Sequence, residues 1–185
     1  MKHLSKILLV LFVLASSTGF SQNLKFGHIN SEELISLMPD RDSALVKLQK
    51  YATDLDETLQ EMRSEFQTKL NTYQQRQATW TAAVLEARQK ELQEIDQRIT
   101  QYQQTAQQEY QQMQQILFAP VLKKANETIT NLGKQKGLIY IFDTASGAIP
   151  FINSELSEDI LPLAKTTLKI PADKKPMAIG GQPTQ

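Results

Sequence analysis

The chain has 185 residues, with 20 basic and 20 acidic side chains and no cysteine. A neutral chain without a basic stripe lacks the electrostatic footprint of nucleic-acid binding. The missing cysteine excludes disulfides and lipid attachment at an N-terminal cysteine.

The N-terminus opens with Lys2 and Lys6, continues with the apolar run Ile7 to Ala15 and ends in the small residues Gly19 and Ser21. This pattern reads as a secretory signal peptide over residues 1–21, cleaved after Ser21. The apolar run is far short of the roughly 20 residues needed to span a bilayer. Loss of Lys2 and Lys6 takes the 20 basic residues to 18 against 20 acidic, so the exported chain is slightly acidic. A soluble exported protein is expected.

Leu24 to Asn30 alternates apolar and other residues and predicts a strand, whose polar end Asn30-Ser31-Glu32-Glu33-Leu34 can cap a short helix that Pro39 limits. From Asp40 to Leu132 the spacing predicts two long helices folded back on each other. In the first, apolar residues recur from Leu45 to Tyr73 at steps of three and four; in the second they recur from Leu85 to Leu117, interrupted at Arg88 and near Glu109. The pattern breaks at Ala78 to Thr81, which places the tip near residues 79–81, with Thr81 as an N-cap. Each arm would run about 36 residues and project roughly 50 Å.

Near the base, Pro120 predicts a kink rather than a stop, and Gly137 ends the helix. Leu138 to Phe142 and Ala148 to Ile152 read as two strands joined by Asp143 to Gly147, a hairpin signal. Ser157 or Asp159 can cap a last helix through Leu168, with Pro162 in its first turn. The tail 171–185, rich in proline and glycine, is expected to be disordered.

The expected fold is therefore α+β, mostly α, forming a single domain over 22–170. A long antiparallel helical hairpin (40–119) projects as a coiled-coil arm from a small β body (22–39 and 120–170). Three short strands leave open edges and a small core, which argues for an oligomer.

No catalytic, cofactor-binding or metal residues are expected, and an enzyme is the least favoured class. His28 has no second histidine or cysteine near it to make a metal site. The pair Asp54 and Glu57 and the cluster Glu91, Glu94 and Asp96 lie on helices with basic neighbours, which reads as a salt-bridged surface. Ser43 and Ser154 lack a base and an oxyanion loop. Asp42-Ser43-Ala44 and Asp143-Thr144-Ala145 match a short acceptor pattern for O-glycosylation known in some bacterial lineages, a pattern that arises easily by chance.

Phe26 to Leu34 followed by Met38-Pro39 resembles the Skp/OmpH family of periplasmic chaperones. The Gln/Glu-rich hairpin, the Pro120 segment, Gly137 to Asp143 and Asp159 to Leu163 look like that family in the same order, so the resemblance covers nearly the whole exported chain. It implies a homotrimer whose β body assembles from three chains, with three arms around a cavity that holds unfolded outer-membrane proteins in the periplasm. No Walker A pattern is present, so binding and release would be passive and independent of ATP. The best-known members are strongly basic, whereas this chain is not, so client capture is expected to depend only weakly on salt and membrane-surface contact to be weak.

Within that picture Trp80 at the tip is the one candidate contact residue, able to insert into client or lipid surface. The favoured reading is plainer: it staples the turn by packing on Tyr73 or Val84. The glutamines between Gln101 and Gln115 could form an uncharged hydrogen-bonding face for unfolded backbone, although such a run is more often a solvated helix surface. The rival reading from another class is a structural coiled-coil spacer or adaptor of the envelope that uses Trp80 as a specific contact. A lipopolysaccharide binder would need basic clusters that the chain does not have.

Overall fold

The computed structural model describes residues 24–177. The expected signal peptide, its cleavage point and the last eight residues of the tail lie outside the described residues.

Strand β1 (Phe26–Ile29) buries Gly27 and Ile29 and leaves Phe26 and His28 partly exposed. Asn30 then turns the chain into helix α1 (Ser31–Leu37), its side-chain oxygen accepting the Glu33 backbone N–H at 2.9 Å. That bond satisfies one of the orphan donors at the helix start. Met38, fully buried and extended, joins α1 to α2 (Pro39–Arg76). Pro39 sits in the first turn, where its missing N–H leaves no bond unmade.

Helix α2 has 38 residues and helix α3 (Ala82–Lys136) has 55. A short 3₁₀ turn (Gln77–Thr79) and the extended Trp80 connect them. Thr81 does occupy the N-cap position of α3, but its side chain makes no capping hydrogen bond. The start of α3 rests instead on the Leu85 N–H donating to the Thr81 carbonyl at 2.9 Å. Contacts between the helices join Asp40 to Lys124, Tyr51 to Glu109, Leu55 to Tyr102 and Lys69 to Glu91. As the residue number rises along α2, that of its partner on α3 falls.

Helix α3 runs through Pro120 without ending. The proline removes the donor that the Ile116 carbonyl would use, and Ile116 is 57% exposed, so water can serve that carbonyl. The helix closes at Gly137 in the left-handed conformation, φ 64°. There the Leu138 N–H reaches the Gly133 carbonyl at 2.9 Å and the Gly137 N–H reaches Lys134 at 3.2 Å, the paired bonds of a Schellman motif.

The sheet differs from the expected hairpin. Strands β2 (Tyr140–Asp143) and β3 (Ser157–Asp159) flank β1 in the order β2-β1-β3, and both run parallel to it. Ala148–Ile152 is not a strand. Pro150 lies in the middle of that run and cannot donate to a ladder, and both edges of β1 are already taken. Ser157, expected as a helix cap, belongs to β3. Asp159 does serve the last helix, α4 (Leu161–Thr167), by accepting the Leu161 N–H at 2.9 Å, with Pro162 in the first turn.

The core lies between one face of the sheet and helices α1, α3 and α4. Ile29, Leu34, Met38 and Ile160 are fully buried there, joined by Ala44, Val121, Ala125, Leu132 and Ala164. Close approach of α3 to the sheet depends on Gly133, where an added Cβ would stand 2.8 Å from Ile141 Cδ1. Pro171–Met177, the first part of the expected disordered tail, returns to α2. Lys174 pairs with the buried Asp42 carboxylate, and Arg41 donates to the Met177 carbonyl at 3.2 Å. Among the described residues, no helix is long and apolar enough to cross a membrane.

Gly133→Leu is expected to destabilise the chain by about 2 kcal/mol, because the side chain must displace Ile141 from a filled core. Urea unfolding monitored by circular dichroism checks this. A midpoint equal to that of the unchanged chain would show that the approach of helix to sheet is not tight.

Candidate functional site: the uncovered sheet face and the helical arm

The strand alternation that sends Gly27, Ile29 and Ile141 into the core turns Phe26, His28, Tyr140 and Phe142 to the opposite face. The rings of Phe26, Phe142 and Tyr140 form a row with centroid spacings of 6.2 Å. Tyr140 is 62% exposed. The loop that follows β2 adds Phe151, 78% exposed, and Leu156, 73% exposed, beside a shallow cavity of about 280 Å³ lined also by Phe26 and Phe142. Large apolar groups gathered this way on a monomer mark an interaction surface.

The polar groups on and around the sheet are satisfied. His28 Nδ1 and Ser157 Oγ are hydrogen-bonded at 3.0 Å, which occupies the one histidine of the described residues with a structural partner. Asp143 at the end of β2 accepts from the Ser31 hydroxyl and from the backbone N–H groups of Ser31 and Ala145. Burial acts to raise the Asp143 pKa, but these donors together outweigh it and hold the carboxyl below its ordinary value. Thr144, in the second O-glycosylation pattern, donates its hydroxyl to the Ile29 carbonyl and is half-buried. Ser43, in the first, is exposed and bonded to the Pro39 carbonyl at 3.1 Å. Ser154 is exposed in a turn. Among the described residues, no group of three or more His, Cys, Asp or Glu side chains could hold a metal ion.

On the arm, the inner seam is densest near the body, where Ala44, Leu48 and Ala52 of α2 are buried. Farther out, α3 buries Ile95 and Ile99, whereas the facing α2 residues Leu59, Met62 and Phe66 stay half-buried. Tyrosine hydroxyls bridge the middle: Tyr51 donates to Glu109 at 3.0 Å, which raises the tyrosine pKa, and Tyr102 donates to the Leu55 carbonyl at 3.2 Å. Thus Glu109, which interrupts the apolar spacing, acts as a cross-helix acceptor.

Trp80 is half-buried. Its ring meets Tyr73 edge-on at 6.0 Å, and the Arg76 guanidinium lies 5.8 Å from its centroid. The indole is therefore engaged with α2 at the turn, while Val84 is 38% exposed. Of the acidic residues noted in the sequence, Asp54 pairs with Lys50, Glu94 with Lys90, and Glu91 with both Lys69 and Arg88. The Glu91 network joins the two helices close to the tip. Hydrogen bonds from Lys69 and then Arg88 lower the Glu91 pKa, and the bond to Glu91 raises that of Lys69.

A carboxylate with a depressed folded pKa contributes stability above its unfolded pKa, about 4.3 for Glu, and loses it as pH falls through the folded value. Acidification from pH 7 to pH 3 is therefore expected to loosen the outer arm, read as amide hydrogen exchange over residues 65–95 after correction for the intrinsic rate. Glu91→Gln should show exchange about threefold faster already at pH 7, the scale of a partly exposed ion pair. Equal exchange in the two proteins at pH 7 would remove Glu91 from that role.

Comparison with known proteins places this geometry. The family model described as outer membrane protein (OmpH-like) matches residues 25–167. A solved structure of an OmpH-like protein from Caulobacter crescentus CB15, proposed to be an outer membrane chaperone, superposes with a TM-score of 0.68 at 16% identity. The match covers 84% of this chain and 92% of that one. No curated protein matches the chain. The matched segment takes in β1, both long helices, the sheet and α4, and the chain belongs to the OmpH-like outer membrane protein family.

Proposed function

We propose that this protein is an ATP-independent periplasmic holdase chaperone that binds unfolded outer-membrane proteins in a cavity between helical arms. The observation that carries the reading is a pair of helices, 38 and 55 residues long, anchored in a small body that leaves an aromatic sheet face bare. At 1.5 Å per residue α2 alone extends about 57 Å, far more than that body needs. The falling partner numbers along α2 and α3 support an antiparallel hairpin arm over residues 40–119, with the body formed by 22–39 and 120–170. Two helices with one half-buried seam are not a core for chemistry. They are suited to reach around something.

The uncovered face supports a homotrimer. Parallel sheets are ordinarily covered on both faces, and here the second face carries Phe26, Tyr140 and Phe142 beside two open strand edges. Copies of this chain would cover it and set the arms around a common space. Export through a signal peptide cleaved after Ser21 places the assembly in the periplasm, where clients pass unfolded and no ATP is present. Release would then follow when membrane insertion offers the client more burial than the arms do. The spacer reading would need Trp80 free to meet a partner, and its packing on Tyr73 and Arg76 gives that reading little support.

An outer-membrane β-barrel protein diluted from urea is expected to stay soluble in the presence of the purified chain without nucleotide, read as suppressed light scattering. Aggregation at the rate seen without the chain would refute the holdase reading. Because 20 basic residues balance 20 acidic ones, or fall slightly short of them after export, capture should change less than about threefold between low and physiological ionic strength. A loss of tenfold or more would show that charge steers capture after all.

A further inference from the structure

The bare sheet face and the tyrosine-bridged seam are accounted for by assembly and arm packing. One surface remains without a role. Between Ile99 and Leu122, helix α3 carries a single charged residue, Glu109, and the Tyr51 hydroxyl bonds to its carboxylate. These 24 residues extend about 36 Å at 1.5 Å per residue. Along them Gln101, Gln104, Gln108, Gln111 and Gln115 recur at steps of four and three, so they share one line on the helix. All five are exposed. The line continues toward the body into half-buried Phe118 and into Leu122, which is 45% exposed. It is distinct from the inner seam of Tyr102, Ala106, Tyr110 and Met113, which is half-buried against α2.

A helix surface that needs only to be wetted is usually studded with charges at i and i+4, and other stretches of both helices carry such pairs. Lys50 pairs with Asp54 on α2, and Lys90 with Glu94 on α3, just before the uncharged stretch begins. Solubility therefore explains polarity here but not neutrality. None of the five amides makes a hydrogen bond within the chain among the described residues. Each primary amide both donates and accepts, which matches the alternating N–H and C=O groups of an extended backbone whatever its side chains. A neutral amide is also cheaper to desolvate than a charge and has no preference for the sign of its partner.

We propose that this amide line on α3, from Gln101 to Gln115 with Leu122 as its apolar foot, is the surface that contacts unfolded polypeptide, reading backbone rather than charge. The inference rests on the holdase reading and adds its contact surface. The occupant is the backbone of extended client segments low in charge. Weak capture by many amides would suit a holdase that must release without an energy source.

The test compares two four-residue sets. Gln104→Glu, Gln108→Glu, Gln111→Glu and Gln115→Glu together put charge on the line. Gln60→Glu, Ser64→Glu, Gln67→Glu and Asn71→Glu put the same charge on exposed positions of α2. Capture of a net-acidic β-barrel client diluted from urea is titrated at low salt. The α3 set is expected to weaken capture about tenfold, and the α2 set to change it less than twofold. Equal losses from both sets, or no loss from the α3 set, would overturn the proposal while leaving the holdase reading intact. Failure of the unchanged chain to capture client would overturn that reading and the proposal with it. A photo-crosslinking residue at position 108, and separately at 64, in the otherwise unchanged chain gives a readout that does not depend on how four substitutions fold. Client crosslinked at 108 but not at 64 supports the assignment. Client crosslinked at 64 alone, or a second copy of this chain crosslinked at 108, refutes it.

Discussion

The structure depends on β1 having a parallel neighbour on each side. Four residues, Phe26 to Ile29, carry the pairing of the whole sheet, with β2 and β3 four and three residues long. A sheet of strands so short needs a hydrophobic face packed against other elements. One face is sealed by Leu34, Val121, Leu132 and Ile160, and close packing through Gly133 draws α3 against Ile141. The other carries the stacked rings of Phe26, Phe142 and Tyr140, of which Tyr140 is 62% and Phe142 38% exposed while Phe26 is half-buried. That imbalance is the reason for the proposal that copies of this chain assemble through the open face.

The arm follows from the same economy of core. Helix α3 contributes Val121, Ala125 and Leu132 to the body, then leaves it on the N-terminal side and is held to α2 by a half-buried seam, two tyrosine bonds and the Glu91 network. Outside the body there is little to make the arm rigid, and what holds it is spread over its length rather than concentrated. Under the proposed holdase function this would be useful, since small adjustments along a weak seam would change the space between arms without unfolding the base. The near-absence of charge on α3 between Ile99 and Leu122 contrasts with the ion pairs Lys50–Asp54 and Glu65–Lys69 on α2.

The helical part of the fold was legible because its signals are local. Asn30 as a cap, Pro39 at a helix start, Gly137 at a helix end and the three-four spacing of the arm each depend on a few neighbouring residues. The sheet was only partly legible. Ser157-Glu158-Asp159 has no apolar alternation and forms a strand because the edge of β1 recruits it, a tertiary effect that no window of sequence contains. Ala148 to Ile152 has the opposite character, apolar enough to suggest a strand but interrupted by Pro150. Parallel pairing across chain separations of more than a hundred residues was hidden for the same reason. As for the site, Phe26, Tyr140 and Phe142 were visible as strand residues. That they share the uncovered face emerges only once Gly27 and Ile141 are seen to point into the core. The packing of Trp80 at the turn was legible from Tyr73, seven residues earlier near the end of α2.

Molar mass is the most direct test of the claim that the bare sheet face is closed by copies of the same chain. Size-exclusion chromatography with multi-angle light scattering on the chain beginning at Gln22, at micromolar concentration and neutral pH, should give one species of three times the chain mass. A monodisperse species of one chain mass, stable and folded by circular dichroism, would contradict the account, because it would show that the aromatic face tolerates water and that the arms need not surround a common space.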